Sequence, residues 1–95
     1  MSIGQTVAEQ IGRHAFVMIG ARDILTTERG LQFAVGRNER KVSKIAITLE
    51  ADDTYTMRFY AGRGLGLREI AAATMVYADS LRPTIEAHTG LYTSL

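Results

Sequence analysis

The sequence predicts an α+β fold: an N-terminal helix, a four-stranded antiparallel β-meander and two C-terminal helices packed on one face of the sheet. Three observations lead to this prediction. Apolar residues recur at helical spacing near the N-terminus, they alternate with polar residues through the middle of the chain, and helical spacing returns near the C-terminus. With 95 residues the chain has about the length of one hydrophobic core, so residues 1–95 are predicted to form a single domain.

The N-terminal third is predicted to contain one helix, one strand and one loop. The helix runs from Ile3 to about Gly12, because Val7 lies on its apolar face and glycine commonly ends a helix. Residues 14–19 are apolar on both faces and are predicted to form a buried strand. Residues 20–30 are mostly polar and end in a glycine, so they are predicted to form a connecting loop.

Three further strands are predicted from the strict alternation of apolar and polar residues in segments 31–35, 42–49 and 54–60. Short connections between neighbouring strands favour antiparallel pairing. The inward-facing side chains are predicted to be Leu31, Phe33, Val35, Ile45, Ile47, Leu49, Tyr55, Met57 and Phe59. One face of the sheet is therefore apolar, and we expect the helices to cover it.

The C-terminal third is predicted to form two helices after a glycine-rich connection. Residues 62–66 break the alternation and are predicted to lead from the sheet into a short helix over 67–74. Pro83 cannot lie inside a helix beyond its first turn. The last helix is therefore predicted to have Asp79 or Ser80 as its N-cap, which places the proline in that first turn.

Positive charge is concentrated at the tip of a predicted hairpin, although the formal net charge of the chain is only +1. Residues 37–41, with the sequence RNERK, join two alternating strands and are expected to project into solvent. Arginine and lysine side chains there could contact phosphates or an acidic partner, and a tyrosine on the same face could stack on a base. The predicted binding residues are Arg37, Arg40, Lys41, Lys44, Arg58, Tyr60 and Arg63.

The same charges have a simpler interpretation, which stays open at this point. An exposed turn needs charged residues for solubility alone. The nearby carboxylates of Glu39 and of residues 50–53 weaken the local field. The sequence pI of 8.1 also lies below the value of about 9 that is typical of nucleic-acid-binding domains.

The sequence predicts no catalytic residue, no metal site and no cofactor. Residues 62–67 lack the third glycine of a dinucleotide-binding loop, and no Walker lysine follows them. The carboxylates of residues 50–53 are interpreted as a turn rather than a cation site. His14 and His88 belong to no metal-binding motif and are interpreted as structural, and the chain has no cysteine. We therefore predict that the protein is not an enzyme.

Two further expectations concern location and assembly. The apolar run 15–19 is much shorter than the ~20 residues of a membrane span, and no secretion signal is recognised, so we expect a soluble, cytoplasmic protein without membrane contact. Apolar residues outside the predicted core either close that core or form an interface, and a homodimer remains open. These residues are Ile24, Leu25, Leu91, Tyr92 and Leu95.

Short motifs between residues 20 and 95 carry a resemblance to a known family. They are Gly20-Ala21-Arg22-Asp23, Gly30-Leu31-Gln32-Phe33, Gly36-Arg37-Asn38, Ile47-Thr48-Leu49, Asp53-Thr54-Tyr55, Val76-Tyr77-Ala78-Asp79 and Thr89-Gly90-Leu91-Tyr92. In these motifs the chain resembles a family of small uncharacterised proteins encoded by bacteriophages and other mobile elements. The resemblance implies a bacterial host cell as the setting, and it assigns no activity and no site residue.

From this setting we expect a non-enzymatic accessory protein that binds a host protein or nucleoprotein complex. Such a protein would inhibit a defence complex that handles nucleic acid, as anti-CRISPR proteins do. The alternative is a small nucleic-acid-binding protein that uses the basic hairpin. Nucleic-acid binding predicts an affinity that falls steeply with salt, which separates the two hypotheses.

Overall fold

The computed structural model describes residues 2–94, which form an α+β fold around a five-stranded antiparallel sheet. Neighbouring strands in the sheet are also neighbours in sequence, so the sheet is a meander. Two short 3₁₀ turns, Gly64–Gly66 and Ala78–Ser80, accompany the main elements. Those elements are α1 (Ile3–Ile11), α2 (Arg13–Met18), β1 (Arg22–Thr27), β2 (Gly30–Ala34), β3 (Lys44–Leu49), β4 (Tyr55–Ala61), β5 (Arg68–Val76) and α3 (Leu81–Thr89).

The central strands β2, β3 and β4 form the apolar face that the alternation predicts. Phe33, Ile45 and Phe59 lie directly opposite one another on adjacent strands, and all three are buried. Residues from all three helices belong to the same buried cluster as this row. The core therefore lies between the helices and one face of the sheet, which leaves the opposite face of β2–β4 open.

Helix α1 confirms the prediction for the N-terminus. Ser2 and Gln5 form a reciprocal capping box at its start, and Gly12 ends it with a φ of 93°. The helix approaches the sheet very closely at Gly4. A Cβ atom built at this position would lie 2.5 Å from the carbonyl oxygen of Gly30, so only glycine allows this contact.

Residues 14–19 were predicted to form a buried strand, and this prediction is wrong because most of them belong to helix α2. Phe16 and Ile19 are buried, whereas Val17 is 71% exposed. Buried positions three residues apart fit a helix lying on the core. The ring of Phe16 meets Phe33 edge-on, with 5.2 Å between the ring centroids. The apolar run 15–19 fits a strand or a buried helix equally well by periodicity, which explains the error.

The two edge strands of the sheet were also missed. Residues 20–30 were predicted to be a loop but contain β1, and the helix predicted over 67–74 is instead β5. Residues 62–66 therefore join two strands rather than a strand and a helix. The sheet has five strands instead of four, and a single helix rather than two follows it. Since most side chains of β1 and β5 are exposed, neither strand carries a clear alternating pattern.

The last helix is α3, and its start agrees with the prediction. Ser80 is the N-cap, so Pro83 lies in the first turn. Leu81 and Ile85 are buried on one stripe of the helix. Gly90 ends the helix with a left-handed φ of 77°. None of the helices within residues 2–94 is long and apolar enough to cross a membrane.

The segment after α3 folds back onto it. The Glu86 carboxylate accepts hydrogen bonds of 2.8 Å from both the backbone N–H and the hydroxyl of Thr93. Leu91 packs against the core, whereas Tyr92 is exposed. The expectation for Leu95 lies outside the described residues.

Candidate anion-binding site

The loop between β2 and β3 holds its cationic residues on a closed hydrogen-bonded frame. The Asn38 side chain donates from Nδ2 to the carbonyl oxygens of Gly36 at 2.9 Å and of Val42 at 2.7 Å. Its Oδ1 accepts from the Val42 N–H at 3.0 Å. Lys41 has a left-handed φ of 60° and donates its N–H to the Asn38 carbonyl at 3.1 Å. The loop is therefore pinned from within by one asparagine.

The three cationic side chains of this loop, Arg37, Arg40 and Lys41, are exposed, as predicted. Arg37 and Lys41 line an open cleft of about 640 Å³, whereas Arg40 does not. The cleft lies between the β2–β3 loop, the start of β1 and the β4–β5 connection. Arg22 and Arg63 contribute its other positive charges. Glu39 is the acidic side chain of its lining.

A second cleft of about 400 Å³ continues from the first one. The two clefts share Arg22, Ser43 and Arg63 in their linings, and the second adds Lys44 and Asp23. Together they place five cationic side chains and two carboxylates along one depression at the end of the sheet. We call this depression the cationic trench, and its cations are Arg22, Arg37, Lys41, Lys44 and Arg63.

Ser43 and two glycines join the walls of the cationic trench. The Ser43 hydroxyl donates to the Tyr60 carbonyl at 3.2 Å and to the Gly62 carbonyl at 2.8 Å, which ties β3 to the β4–β5 connection. Gly62 has a φ of 90°, and a Cβ there would lie 2.3 Å from the Gly66 carbonyl oxygen. The Gly36 N–H donates to the Ile19 carbonyl at 2.9 Å, which ties the loop to the end of α2.

Within the described residues the trench cations form no ion pair, although Glu39 and Asp23 belong to the same lining. Within residues 2–94, the ion pair closer than 4.0 Å is the one between Arg58 and Glu69, at 3.2 Å. Arg58 was predicted to bind together with the hairpin cations, but its guanidinium lies outside the trench lining and is engaged by that glutamate. It lies opposite Ala46 and Ala72, further along the open face of the sheet.

Tyr60 lies beside the cationic trench on the open face. It is opposite Lys44 in the β3–β4 register, and the Lys44 Nζ lies 5.8 Å from the centroid of its ring. The same cross-strand row continues through Ala34 to Arg22 on β1. A cation, a small residue, a second cation and an aromatic ring therefore follow one another across four adjacent strands.

Sequence reasoning missed Arg22 because it was predicted to lie in a loop. Its position follows from the hairpin between β1 and β2, which places Arg22 opposite Ala34. The turn glycine at position 30 was the available signal, since a tight turn there pairs the residues before it with the following strand. The prediction used this glycine only as the end of a loop.

The acidic segment before β4 is a turn, in agreement with its interpretation. The Asp52 carboxylate accepts from the Thr54 hydroxyl at 2.6 Å and from the Thr54 N–H at 3.1 Å, and these hydrogen bonds lower the pKa of Asp52. No group of three His, Asp or Glu side chains within residues 2–94 is arranged to hold a metal ion.

The two histidines lie in different surroundings. The His88 ring stacks on Phe59 at 4.4 Å between centroids, and its Nδ1 lies 3.0 Å from the Thr84 carbonyl oxygen. His14 is exposed on α2. The contacts of His88 fit the structural role predicted for it.

An apolar cleft lies on the other side of β1, away from the cationic trench. It has a volume of about 470 Å³ and is lined by side chains that include Phe16, Val17 and Ile24. Ile24 and Leu25, which the sequence marks as candidates for an interface, are 49% and 55% exposed. Ile24 thus belongs to the apolar cleft, whereas Leu25 lines a small cleft together with Asp23 and Lys44 of the cationic trench.

The geometry brings Arg37, Lys41, Lys44 and Arg63 of the predicted set together, adds Arg22, and places Tyr60 next to them. Arg40 and Arg58 lie outside the lining of the trench.

Comparisons of this chain with models of protein families, with curated proteins and with solved structures find no match in any of the three.

Proposed function

We propose that this protein is a non-enzymatic accessory protein of a bacteriophage or other mobile element, and that it binds a macromolecular complex of its bacterial host. The partner is a nucleoprotein complex that handles nucleic acid for defence, and binding blocks that complex. The protein acts in the host cytoplasm. The motifs between residues 20 and 95 support the setting, and the cationic trench supports the mode of action.

The proposal is supported chiefly by five cationic side chains that line one trench. None of the five forms an ion pair within residues 2–94. Five cations outnumber the two carboxylates of the lining, and a concave surface with such an excess of one sign of charge raises the local concentration of an oppositely charged partner and speeds its association. Arginine supplies planar, forked hydrogen-bond donors that match carboxylate and phosphate groups. The trench therefore has the chemistry of an anion-binding surface.

The composition of the trench favours a macromolecule over a small ligand. Pockets for small molecules are mostly apolar, with few polar groups placed among hydrophobic side chains. Here five cationic side chains and two carboxylates line the trench among small and apolar residues, and the trench opens onto the uncovered face of the sheet. An extended anionic surface fits such a site better than an enclosed ligand does.

The test is affinity purification of the tagged protein from host lysate. The wild-type protein is compared with a trench variant, Arg37→Glu with Arg63→Glu, and with a control of equal charge change, Arg13→Glu with Arg68→Glu. All four arginines are exposed. We expect the wild type and the control to capture the same nucleoprotein complex, and the trench variant to recover at least tenfold less of it. Equal recovery by the trench variant would refute the proposal.

A second readout measures the proposed inhibition directly. Cells with an active CRISPR defence against a plasmid are transformed with that plasmid while they express each variant. We expect the wild type and the control variant to restore transformation, and the trench variant to leave the defence active. Restoration by none of the three proteins would exclude this defence complex as the target.

A further inference from the structure

We infer that the protein contacts its partner through a single strand of nucleic acid, with backbone phosphates in the cationic trench and a base stacked on Tyr60. The inference rests on the proposed function and names the part of the nucleoprotein complex that this surface touches. Three features of the described residues carry it: the spacing of the cations, the rigidity of their supports and the position of the aromatic ring.

The cations follow a line that a phosphate backbone can track. Arg22 and Lys44 lie on one cross-strand row with Ala34 between them, and Tyr60 is next on the same row. Neighbouring strands are about 4.8 Å apart, so the row from Arg22 to Tyr60 spans about 14 Å. This is the length of a few nucleotides. Ala34 has a short side chain, and along this row Arg22 is exposed and Lys44 is partly exposed.

The supports of the cations are already formed before a ligand binds. Asn38 pins the loop that carries Arg37 and Lys41, and Ser43 pins the connection that carries Arg63. Side chains presented from a fixed backbone lose less conformational freedom on binding than those on a mobile segment. Gly64 lines the second cleft, and a Cβ built there would meet no heavy atom within 4 Å, so its backbone is open to close approach by a phosphate.

Tyr60 favours nucleic acid over an acidic protein surface as the ligand of the trench. Tyr60 is half-buried beside Lys44, with the ammonium group 5.8 Å from the ring centroid. Sites for single-stranded nucleic acid combine a cationic groove with aromatic side chains on which bases stack. Bases of a single strand are free to stack in this way, whereas those of a duplex are already paired and stacked. A single strand is therefore the ligand that can contact both the trench cations and the ring of Tyr60.

The experiment is a fluorescence anisotropy titration with labelled oligothymidine and oligouridine of about 16 nucleotides, the upper site size of small single-strand-binding domains. We expect binding whose log affinity falls linearly with log salt, by about 0.7 for each phosphate contacted. The Arg37→Gln/Arg63→Gln variant should lower that slope by about 1.4. The matched control, Arg13→Gln with Arg68→Gln, should keep it. The comparison of the two oligonucleotides shows whether DNA or RNA is preferred.

The tyrosine is tested separately from the charges. We expect Tyr60→Leu to weaken binding about tenfold with an unchanged salt slope, because a base loses its stacking partner and no phosphate contact changes. Tyr60→Phe should keep the affinity. Thermal unfolding of each variant shows that the fold is retained. No binding of either oligonucleotide, or a salt slope that the trench variant leaves unchanged, would overturn the inference.

Nuclease treatment of the lysate separates the inference from the proposed function. Loss of the captured complex after treatment with both DNase and RNase supports contact through nucleic acid. Capture that survives nuclease and still requires Arg37 and Arg63 overturns the inference, since the trench then binds an acidic protein surface, and it leaves the proposed function intact. If the protein binds the oligonucleotides but captures no complex from the lysate, the proposed function is refuted. The assignment of the trench as a site for single-stranded nucleic acid then still stands.

Discussion

The central and the edge strands of this sheet differ in what they contribute to the molecule. Strands β2, β3 and β4 bury alternate side chains against the helices, whereas every residue of β1 and most residues of β5 are exposed. Burial of apolar area is the main source of stability, so the centre is expected to hold the fold together. The edge strand β1 adds little buried area, and it contributes Arg22 to the cationic trench.

The largest expected effect comes from the centre of the sheet. Phe59 on β4 is fully buried and stacks on His88, so Phe59→Ala should lower the free energy of unfolding by about 3–5 kcal/mol. Ile70→Ala on β5 is the matched change, because Ile70 is 43% exposed. We expect it to cost less than about 1 kcal/mol in urea unfolding. Equal losses for the two variants would contradict the contrast between centre and edge.

The second-largest loss of stability is expected at Gly30, where the hairpin from the edge strand β1 enters the central strand β2. Gly30 begins β2, and a Cβ there would lie 1.8 Å from the Ile47 carbonyl oxygen. Gly30→Ala should therefore push β2 away from β3 and lower stability by about 1–3 kcal/mol or more. Gly66→Ala is the control, since no heavy atom lies within 4 Å of the added carbon. A control that loses as much stability as Gly30→Ala would show that the close approach is not the cause.

A pH dependence is expected from the turn between the central strands β3 and β4. Hydrogen bonds from Thr54 lower the pKa of Asp52, so the unfolded chain takes up this proton more readily than the folded one. The stabilisation is complete above the ordinary pKa of an aspartate and is lost as the pH falls through the lowered value. Asp52→Asn should flatten the acid side of the curve of unfolding midpoint against pH.

Thr54→Val is the companion variant for this turn. It removes the hydroxyl donor and keeps the backbone donor, so the pH dependence should fall only in part. If both variants follow the wild-type curve at acid pH, then the hydrogen bonds of Asp52 are not the source of the acid sensitivity.

The smallest effect is expected on the edge strand β1. Ile24→Thr keeps a branched side chain at a position that is 49% exposed, and it should change the free energy of unfolding by no more than about 0.5 kcal/mol. The same replacement at buried Ile45 should cost several times more. A loss at Ile24 that grows with protein concentration would mean that a second copy covers this edge.

The difference between the strands also explains which predictions succeeded. Alternation arises where one face of a strand is buried, and the predicted inward residues Phe33, Ile45 and Phe59 are indeed in the core. In β1 no face is covered enough to select apolar residues, so its sequence resembles a loop. In β5 the alternating alanines at 71 and 73 pack against the core, but alanine is also the best helix former. The prediction of a helix there followed local propensity, and pairing with β4 decided otherwise.

The candidate site, like the fold, could be predicted from the sequence only in part. Arg37 and Lys41 were expected on an exposed tip because a hairpin turn between two alternating strands leaves its residues in solvent. Arg22 and Arg63 are 41 positions apart in the sequence and come together only through the sheet. Arg58 has the same outward direction as the others, yet Glu69 on the neighbouring strand engages it. Which charges are paired depends on strand register, and local patterns do not contain that information.

The sequence by itself determined the fold class, the inward faces of three strands, the first helix and the start of the last one. These features depend on contacts within a few residues or on the burial of one face, and both leave a periodic trace in the chain. Only the tertiary structure decided that residues 14–18 belong to a helix, that two exposed segments complete the sheet, and that five cations share one trench. These outcomes depend on which distant segments become neighbours, because pairing and packing override local preference wherever the local preference is weak.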